Sequence, residues 1–587
     1  MKKKLIYAAS AALVVVIAII ALVSIFVKQY KKSHAPSEVV KDLTEYYGIA
    51  ADEAMIIIDE KVYDKRGLWK NGTAYIDLDT VTEMYIHRFF WVAEENLMLY
   101  TTPGKIYHFV PGQKEYTLND ETVSDAYPVV ELKGSEPYVS VNFLENCGIT
   151  YRVYDEPHRV MITYSDETFL VAPVVKETQI RVSQSIKADL LTTVHEGDIV
   201  RFIDGGGIRE EGFIKVMSRD GVRGYILESA LGESSYTDPV FTEFAWPEYT
   251  HMVYSDKVYL GWMLLYNKDN VGYLKEAIAR APEMNVVSPT WFFMEDIEGS
   301  LKSYANKDFV QYAHDNGVKV WATYKNDTID GYFECTEDSH LVLSSTERRS
   351  ALIDSIMSSA KEYGLDGINI DFEMLKLDSG IYFVQFLREL SVKCREKGLI
   401  LSVDNYVPEN YNAYYNLKEQ SAVVDYIVIM GYDEHYAGSA EAGSVSSLEW
   451  FSGAAAGTAE KCDMTRVIMG VPFYTRLWKI KDGGVYVEET PSMAAAEKKV
   501  KSVGAKKEWK KAAGQYYAEW KSGGATYKIW LEDEESLTAK VLAAREYDVA
   551  GIAAWKCGDE KNGIWAVLKD ALEGELPEEE DSEGDGE

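Results

Sequence analysis

Cysteine is scarce in this chain and forms no pattern. The five cysteines among 587 residues are scattered and odd in number: Cys147, Cys335, Cys394, Cys462 and Cys557. A disulfide framework or a zinc site would need closely spaced cysteines, often with histidine. Three histidines in the first part of the chain, His87, His108 and His158, are isolated from one another. The sequence therefore predicts buried apolar cysteines, no metal site and no cofactor.

Basic residues are also few compared with acidic residues. The chain has 61 Lys and Arg against 94 Asp and Glu, which gives a formal net charge of −33. Nucleic acid phosphates require a basic surface, so we expect no nucleic acid partner. The last residues, 574–587, are acidic and almost free of apolar side chains, and we expect them to be disordered. The 47% hydrophobic fraction indicates ample globular core elsewhere.

An uncharged apolar run extends from Leu5 to Val27, with lysines on both sides. About 20 apolar residues span a bilayer, whereas a cleaved signal peptide has a shorter core and a small-residue cleavage site. We interpret residues 1–34 as an uncleaved transmembrane signal-anchor at the cell membrane, with the rest of the protein extracytoplasmic. Cleavage and secretion is the alternative. Because lysines flank both ends, the orientation depends on what the later domains are.

Residues 35–175 contain short β-rich runs, such as 54–59 and 73–78. Residues 138–154 suggest a strand, a helical turn and a second strand, and 160–164 completes a hairpin. This pattern resembles the small α+β module at the N-terminus of copper amine oxidases. The resemblance implies no copper here, because the histidines are isolated.

Residues 178–232 form another group of short strands, separated by Gly and Asp turns. This stretch is similar to bacterial SH3-like domains, which are small β-barrels often attached to cell-wall hydrolases. Wall binding and a spacer between membrane and enzyme are equally open roles for it. Residues 236–249 are interpreted as a linker.

From residue 250 to 573, apolar runs alternate with amphipathic helical stretches, which is typical of repeated βα units. The sequence predicts an α/β fold, a (β/α)8 TIM barrel, whose functional residues lie at the C-terminal strand ends. Eight strands are predicted, at 258–265, 286–290, 318–324, 367–373, 399–405, 426–432, 467–473 and 551–555. The long segment between 478 and 536 predicts a small α+β insertion between strands seven and eight.

The fourth predicted strand lies in the octet 366–373, Asp-Gly-Ile-Asn-Ile-Asp-Phe-Glu. Alternation along a strand places Asn369, Asp371 and Glu373 on one face and the apolar residues on the other. Carboxylates on the inner face of a buried strand are unfavourable unless they have a function. The sequence therefore predicts that this strand carries the active site, with Asp366 in a structural or electrostatic role.

The octet resembles the active-site strand DGxDxDxE of family-18 glycoside hydrolases, the chitinase-like enzymes. Asn369 replaces the middle Asp, as it often does in the branch that attacks spore cortex and peptidoglycan. Residues 430–433 resemble the family's MxYD motif, 470–474 its GxPxY motif, and Ala554-Trp555 its last strand. The resemblance covers the predicted barrel and implies a retaining, substrate-assisted glycosidase.

The resemblance also implies roles for individual residues. Glu373 would be the general acid and base, Asp371 would orient the substrate's acetamido group, and Tyr432 would donate a hydrogen bond to that group. Contacts with the sugar are expected from Trp555, Asp433, Met430, Asn369, Tyr474 and Trp291. Trp555 would form the floor under the reacting ring, and Trp291 would stack on sugar.

The implied substrate is a glycan that contains N-acetylglucosamine. For a membrane-tethered protein that faces a cell wall, peptidoglycan is the natural choice, although chitin and protein-linked glycans need the same residues. Two other classes of function stay open: a non-catalytic, lectin-like cell-wall protein, and a scaffold for wall-synthesis partners that acts through its N-terminal modules. Endo or exo action and the oligomeric state do not follow from the sequence.

Overall fold

The computed structural model describes residues 1–574 except 85, 87, 207, 208, 211, 246 and 328–332. His87 and all but the first residue of the acidic tail therefore lie outside the described residues. The chain divides into two compact units. One contains residues 1–100 and 107–246, and the other contains 101–106 and the chain from 247 onwards.

The first unit begins with one long exposed helix, Lys2–His34. Its apolar part has a mean hydropathy of 3.1, and by length and composition it could cross a membrane. A membrane anchor and a signal sequence share these properties. The helix thus agrees with the predicted apolar segment without distinguishing an anchor from a cleaved leader.

The α+β part of this unit contains an eight-stranded sheet and a five-stranded antiparallel meander. The sheet consists of Glu53–Ile58, Lys61–Val62, Gly67–Lys70, Thr73–Asp77, Val130–Lys133, Glu136–Ser140, Thr150–Tyr154 and Arg159–Thr163. The meander consists of Phe89–Val92, Leu97–Thr102, Lys105–Phe109, Glu115–Leu118 and Glu121–Ser124, of which residues 101–106 are assigned to the second unit. Short helices occupy Leu43–Tyr47, Leu78–Glu83 and Val141–Glu145. The predicted strand, helical turn and hairpin between 138 and 164 are confirmed, while the likeness to the copper amine oxidase module stays a prediction.

A second eight-stranded sheet follows in the same unit and has a hydrophobic core of its own. Its strands are Phe169–Pro173, Thr178–Arg181, Leu190–Val194, Ile199–Phe202, Arg209–Glu210, Phe213–Met217, Arg223–Leu227 and Ser235–Thr237. The predicted short strands of this stretch are confirmed. The SH3-like assignment stays a prediction.

The second unit is built on eight parallel strands that close into a barrel, because the eighth strand pairs with both the seventh and the first. The strands are β1 (Val258–Met263), β2 (Val286–Met294), β3 (Lys319–Lys325), β4 (Gly367–Asp371), β5 (Ile400–Tyr406), β6 (Tyr426–Met430), β7 (Val467–Pro472) and β8 (Gly551–Trp555). A short strand, Leu301–Ser303, pairs with β2 in the antiparallel sense. The predicted (β/α)8 barrel is confirmed.

Helices connect the strands of the barrel. They are Val271–Arg280, Lys307–Asp315, Glu337–Ser344, Thr346–Tyr363, Gly380–Lys397, Leu417–Val423, Leu448–Ala459, Glu534–Arg545 and Ile564–Glu573. The helix before β4 begins after Ser345, whose side chain accepts a hydrogen bond from the backbone of Arg348. It ends at Gly364, which has a φ of 68°, a conformation that glycine adopts without strain. These two signals fix where the chain enters β4.

An insertion lies between β7 and β8. Its five antiparallel strands are Leu477–Lys481, Gly484–Glu489, Lys507–Lys510, Gln515–Ser522 and Ala525–Leu531, and its helix is Met493–Ser502. These elements enclose a small core of their own. The predicted α+β insertion is therefore present at the C-terminal end of the barrel.

Candidate active site

A cavity of about 190 Å³ opens at the C-terminal ends of the barrel strands. Seven of the residues predicted for the site line it, and four others join them. The lining residues are Trp262, Lys325, Asp371, Glu373, Asp404, Tyr406, Met430, Tyr432, Asp433, Tyr474 and Trp555. They come from β1, β3, β4, β5, β6 and β8 and from the segments that follow β4, β6 and β7.

The end of β4 positions the two predicted catalytic carboxyl groups. Ile370 and Phe372 pack into the core between strands and helices, so Asp371 points to the inside of the barrel. Glu373 follows the last residue of the strand and reaches the same cavity. The side-chain amide of Asn326 holds the backbone here, because it accepts from the Glu373 N–H at 2.8 Å and donates to the Glu373 carbonyl at 2.8 Å.

Lys325, the last residue of β3, supplies a cation that the sequence reasoning missed. Its Nζ lies 2.7 Å from Oδ2 of Asp371 and 3.7 Å from Oε1 of Glu373. Burial disfavours the charge on this lysine, but Asp371 and then Glu373 outweigh that effect and raise its pKa. Lys325 therefore keeps its charge and lies in hydrogen-bond contact with Asp371, beside Glu373.

The environment of Glu373 suits a general acid. Burial, followed by the negative charge of Asp371, raises the pKa of Glu373 to about 7, although Lys325 opposes the shift. The hydroxyl group of Tyr406 hydrogen-bonds to this carboxyl group and also accepts from the backbone N–H of Met374 at 3.2 Å. A carboxyl group with such a pKa holds its proton near neutral pH and can give it to a leaving group.

Asn369 lies beneath the cavity and is completely buried. Its Oδ1 has three protein donors, Trp262 Nε1 at 3.3 Å, Ser288 Oγ at 3.2 Å and Thr323 Oγ1 at 3.4 Å. Its Nδ2 donates to Ser402 Oγ at 3.0 Å and to Asp404 Oδ1 at 2.7 Å. Because the protein uses both ends of the amide, the expectation that Asn369 contacts the sugar is wrong. It supports the site from below.

Asp404, on β5, is a third carboxyl group of the site. It is 3% exposed, and burial together with the charge of Asp371 raises its pKa well above the ordinary range. Burial of this kind favours the protonated, neutral form of the carboxyl group. The cavity thus combines one ion pair with two carboxyl groups that hold protons.

Tyr432 and Tyr474 form one wall of the cavity. Their rings meet edge to face with centroids 6.3 Å apart, and burial raises the pKa of both hydroxyl groups. Tyr432 therefore keeps its proton and can donate it in a hydrogen bond. The Tyr474 hydroxyl donates to Asp433, whose Oδ1 also accepts from Arg476 at 2.7 Å. Arg476 fixes this wall and was not foreseen from the sequence.

Two tryptophans form the apolar side of the cavity. Trp555 ends β8 and is partly exposed, and its ring lies 6.1 Å from that of the buried Trp262. An indole face at this place can pack against the apolar face of a sugar ring. The predicted position of Trp555 at the cavity is thus observed, and Met430 lines the cavity beside it.

Trp291 is not part of the site. Its side chain is completely buried and packs edge to face against Phe309, in the core between strands and helices. Ser288 contacts Asn369 inside the barrel, so alternation along β2 places Trp291, like Val287, on the outer face of the strand. The expectation that Trp291 stacks on sugar is therefore wrong.

Asp366 lies at the opposite end of β4 from the cavity. It accepts from His314 Nε2 at 2.7 Å, from Lys319 Nζ at 3.0 Å and from the backbone N–H of Val320 at 2.9 Å. These contacts join the start of β4 to β3 and to the helix 307–315. The structural and electrostatic role of Asp366 stays a prediction, and these contacts agree with it.

A family comparison settles what kind of domain holds this site. Residues 329–560 match the sequence model of Glycosyl hydrolases family 18, a region that includes β4 to β8. The match indicates a glycosidase of the family-18 type over this part of the barrel. Lys325 and Asp404, the residues missed above, did carry a signal, since both are charged positions at or next to the C-terminal end of a predicted strand.

The chain is also similar to known proteins. Uncharacterized glycosylase YvbX of Bacillus subtilis (strain 168) is 26% identical over 299 residues, which cover 49% of this chain and 84% of that protein. The cortical fragment-lytic enzyme of Bacillus anthracis is 24% identical over 238 residues, 39% of this chain and 54% of the relative. Among solved structures, the spore cortex-lytic enzyme SleL of Bacillus cereus has a TM-score of 0.49 at 20% identity and covers 58% of this chain and 78% of that chain.

Proposed function

We propose that this protein is a membrane-anchored, extracytoplasmic glycosidase that hydrolyses β-1,4 bonds after N-acetylglucosamine in peptidoglycan, by a substrate-assisted retaining mechanism. One observation carries the proposal: a proton-holding carboxyl group, Glu373, lies beside Asp371, which is paired with Lys325 on one oxygen only. Oδ1 of Asp371 is buried, and no donor among the described residues reaches it.

Glu373 begins the reaction. Its carboxyl group protonates the glycosidic oxygen, so the leaving sugar departs as a neutral alcohol. An enzyme with a carboxylate nucleophile would need a second reactive carboxylate facing the anomeric carbon. Here the charge of Asp371 is engaged by Lys325 at 2.7 Å, which makes this carboxylate a poor nucleophile. The nucleophile is therefore assigned to the substrate.

The carbonyl oxygen of the substrate's 2-acetamido group attacks the anomeric carbon and forms an oxazolinium ion. The acetamido N–H donates to Oδ1 of Asp371, which meets the need of that buried oxygen for a donor. The hydroxyl group of Tyr432 donates to the acetamido oxygen, and Trp555 packs against the ring. These contacts orient the attacking group and favour the positive charge that develops on it.

The second step reverses the role of Glu373. The carboxylate formed in the first step removes a proton from water, and the oxygen of that water attacks the anomeric carbon on the face that the leaving group vacated. The C–O bond to the acetamido oxygen breaks, so the acetamido group is regenerated and the configuration is retained. Glu373 regains its proton and is ready for another cycle.

The choice of peptidoglycan combines this chemistry with the long apolar N-terminal helix. A substrate-assisted mechanism requires an acetamido group on the sugar whose bond is cut. The helix Lys2–His34 could hold the domain at the outer face of a membrane. The names of the cortical fragment-lytic relatives agree with a wall glycan, and chitin offers the same acetamido chemistry.

The decisive experiment compares the full-length protein with its Glu373→Gln variant, both solubilised in detergent. Purified peptidoglycan and the tetramer of N-acetylglucosamine serve as substrates, and the products are reduced and identified by mass spectrometry. We expect reduced N-acetylglucosamine ends from the parent and a loss of about 100-fold or more in the variant. Glu449→Gln, an exposed position at a helix start, is the matched control and should retain full activity.

The other outcomes are equally informative. Reduced N-acetylmuramic acid ends would show that the other bond of peptidoglycan is cut, and cleavage of the tetramer alone would favour chitin. Binding of glycan without turnover by parent and variant would overturn the proposal in favour of a lectin-like protein. Intact mass and membrane fractionation of the cellular protein decide whether the helix 2–34 is retained as an anchor.

A further inference from the structure

Lys325 occupies an unusual position for a lysine. Its side chain is 13% exposed, and its ammonium group lies within 4 Å of Asp371, Glu373 and Asp327, at 2.7, 3.7 and 3.8 Å. Removing a lysine from water is strongly unfavourable unless carboxylates compensate for it. Asp371 is the nearest of these carboxylates. The presence of the cation therefore calls for a function.

The two oxygens of Asp371 have different surroundings. Oδ2 accepts a charge-assisted hydrogen bond from Lys325, whereas Oδ1 is buried without a donor among the described residues. Since Asp371 is 5% exposed, water does not freely solvate Oδ1. A buried carboxylate oxygen without a donor is destabilising by itself. A donor on a ligand bound in the cavity would relieve this.

We propose that Lys325 is a positioning residue of this glycosidase: it holds the ionised carboxylate of Asp371 in one orientation, with Oδ2 paired and Oδ1 presented to the acetamido N–H of the substrate. The inference rests on the proposed function above. Lys325 itself touches neither the acetamido group nor the glycosidic oxygen. Its effect reaches the reaction through Asp371, whose rotation about χ2 would otherwise exchange the two oxygens.

The proposal makes a different prediction from a purely electrostatic role. If Lys325 acted only through its charge, its removal would shift the pH dependence of Glu373 and leave kcat at the new optimum unchanged. If it orients Asp371, kcat falls at every pH, because the attacking acetamido group is no longer aligned. Misalignment of a reacting group by about 1 Å lowers rates by about 100-fold.

The test measures kcat, KM and the pH profile of full-length Lys325→Met, Lys325→Gln and Lys325→Arg on the tetramer of N-acetylglucosamine. We expect Lys325→Met to lose about 100-fold in kcat with KM changed by less than about threefold. Its alkaline limb should move to higher pH, because the cation that opposes the shift of Glu373 is gone. Lys325→Arg should recover at least about tenfold of the loss, since it keeps a charged donor.

Lys319→Met is the matched control, because Lys319 begins the same strand and pairs with Asp366 at the far end of the barrel. Its kcat should equal that of the parent. A Lys325→Met protein with parental kcat at its optimum would overturn the inference, even if its pH profile moved. If Lys325→Met fails to fold by circular dichroism, Lys325→Leu decides, because leucine also offers no donor to Oδ2: parental kcat in Lys325→Leu with a shifted alkaline limb again overturns the inference. Lys325→Gln, which keeps a donor without the charge, should have a kcat between those of Lys325→Met and the parent.

Failure of the inference and failure of the proposed function are distinguishable. A parent protein that hydrolyses no glycan refutes the function, whereas an active parent that depends on Glu373 but not on Lys325 refutes only the positioning role.

Discussion

Nδ2 of Asn369 lies 2.7 Å from Oδ1 of Asp404, and this contact joins β4 to β5 beneath the cavity. Asn369 occupies the position at which family-18 glycoside hydrolases have the middle aspartate of their motif. Its hydrogen-bond partner, Asp404, is a carboxyl group that keeps its proton because it is buried next to Asp371. The pair thus contains one amide and one acid, and each can be changed separately.

Asn369→Asp should retain activity and alter the pH profile. The substitution replaces the donor to Asp404 with an oxygen, so two carboxyl groups face each other and must share a proton. We expect kcat to stay within about tenfold of the parent. The fall in activity at low pH should depend on one additional protonation, that of the proton shared by the two carboxyl groups. The measurement is kcat/KM from pH 3 to 9, in steps of about half a unit. An unchanged acid limb would show that the two groups are not coupled.

Asp404→Asn and Asp404→Leu should differ sharply. An amide has the shape of a protonated carboxyl group, so Asp404→Asn should keep kcat within about threefold. Its alkaline limb should become less steep, because one ionisation that Asp371 and Glu373 influence is gone. Leucine offers no acceptor to Asn369 Nδ2, and that variant should be less active and less stable by about 1–3 kcal/mol. Equal damage in both variants would mean that Asp404 works as a carboxylate.

Activity should fall as the pH rises through about 7. The general acid must be protonated, and the pKa of Glu373 is raised to about 7 by burial and by Asp371. Below that pH the acid form predominates, and above it kcat/KM should decline about tenfold per pH unit. A pH profile of kcat/KM on the tetramer of N-acetylglucosamine measures this. An alkaline limb near the ordinary glutamate pKa would show that Glu373 is not the acid.

Lys540→Met should destabilise the barrel without touching the active site. Lys540 and Glu532 are 0% and 1% exposed at their side chains, and Nζ lies 3.0 and 2.9 Å from the two carboxylate oxygens. Removing the lysine leaves a buried carboxylate unpaired, a change that costs about 3–5 kcal/mol. Thermal unfolding of the full-length protein should show a lower midpoint for the barrel transition.

Two controls accompany this prediction. Lys521→Met, at an exposed position of the insertion, should change stability by less than about 0.5 kcal/mol. Lys540→Met combined with Glu532→Gln should recover part of the loss, because no charge is left buried. A Lys540→Met protein as stable as the parent would show that protonation of Glu532 compensates for the lost ion pair, with no net change in the free energy of unfolding.

The sequence alone was sufficient for the architecture of the barrel and for the centre of its site. Eight apolar runs separated by helical stretches predicted the strands, because buried parallel strands must be apolar and their order follows the chain. Alternation along β4 then predicted that Asp371 and Glu373 share a cavity. The positions of Tyr432, Tyr474 and Trp555 at other strand ends predicted that they line the same cavity. These features depend on local periodicity, which a sequence displays directly.

Only the tertiary structure decided which side chains meet. Trp291 lies just after the predicted second strand, yet its side chain is on the outer face of β2, in the core between strands and helices. Asn369 appeared to face the sugar, but donors from three other strands enclose it. Lys325 and Asp404 come from β3 and β5, and their contacts with Asp371 and Asn369 depend on the register between parallel strands. That register is set by packing across the whole barrel, so no single segment of the sequence contains it.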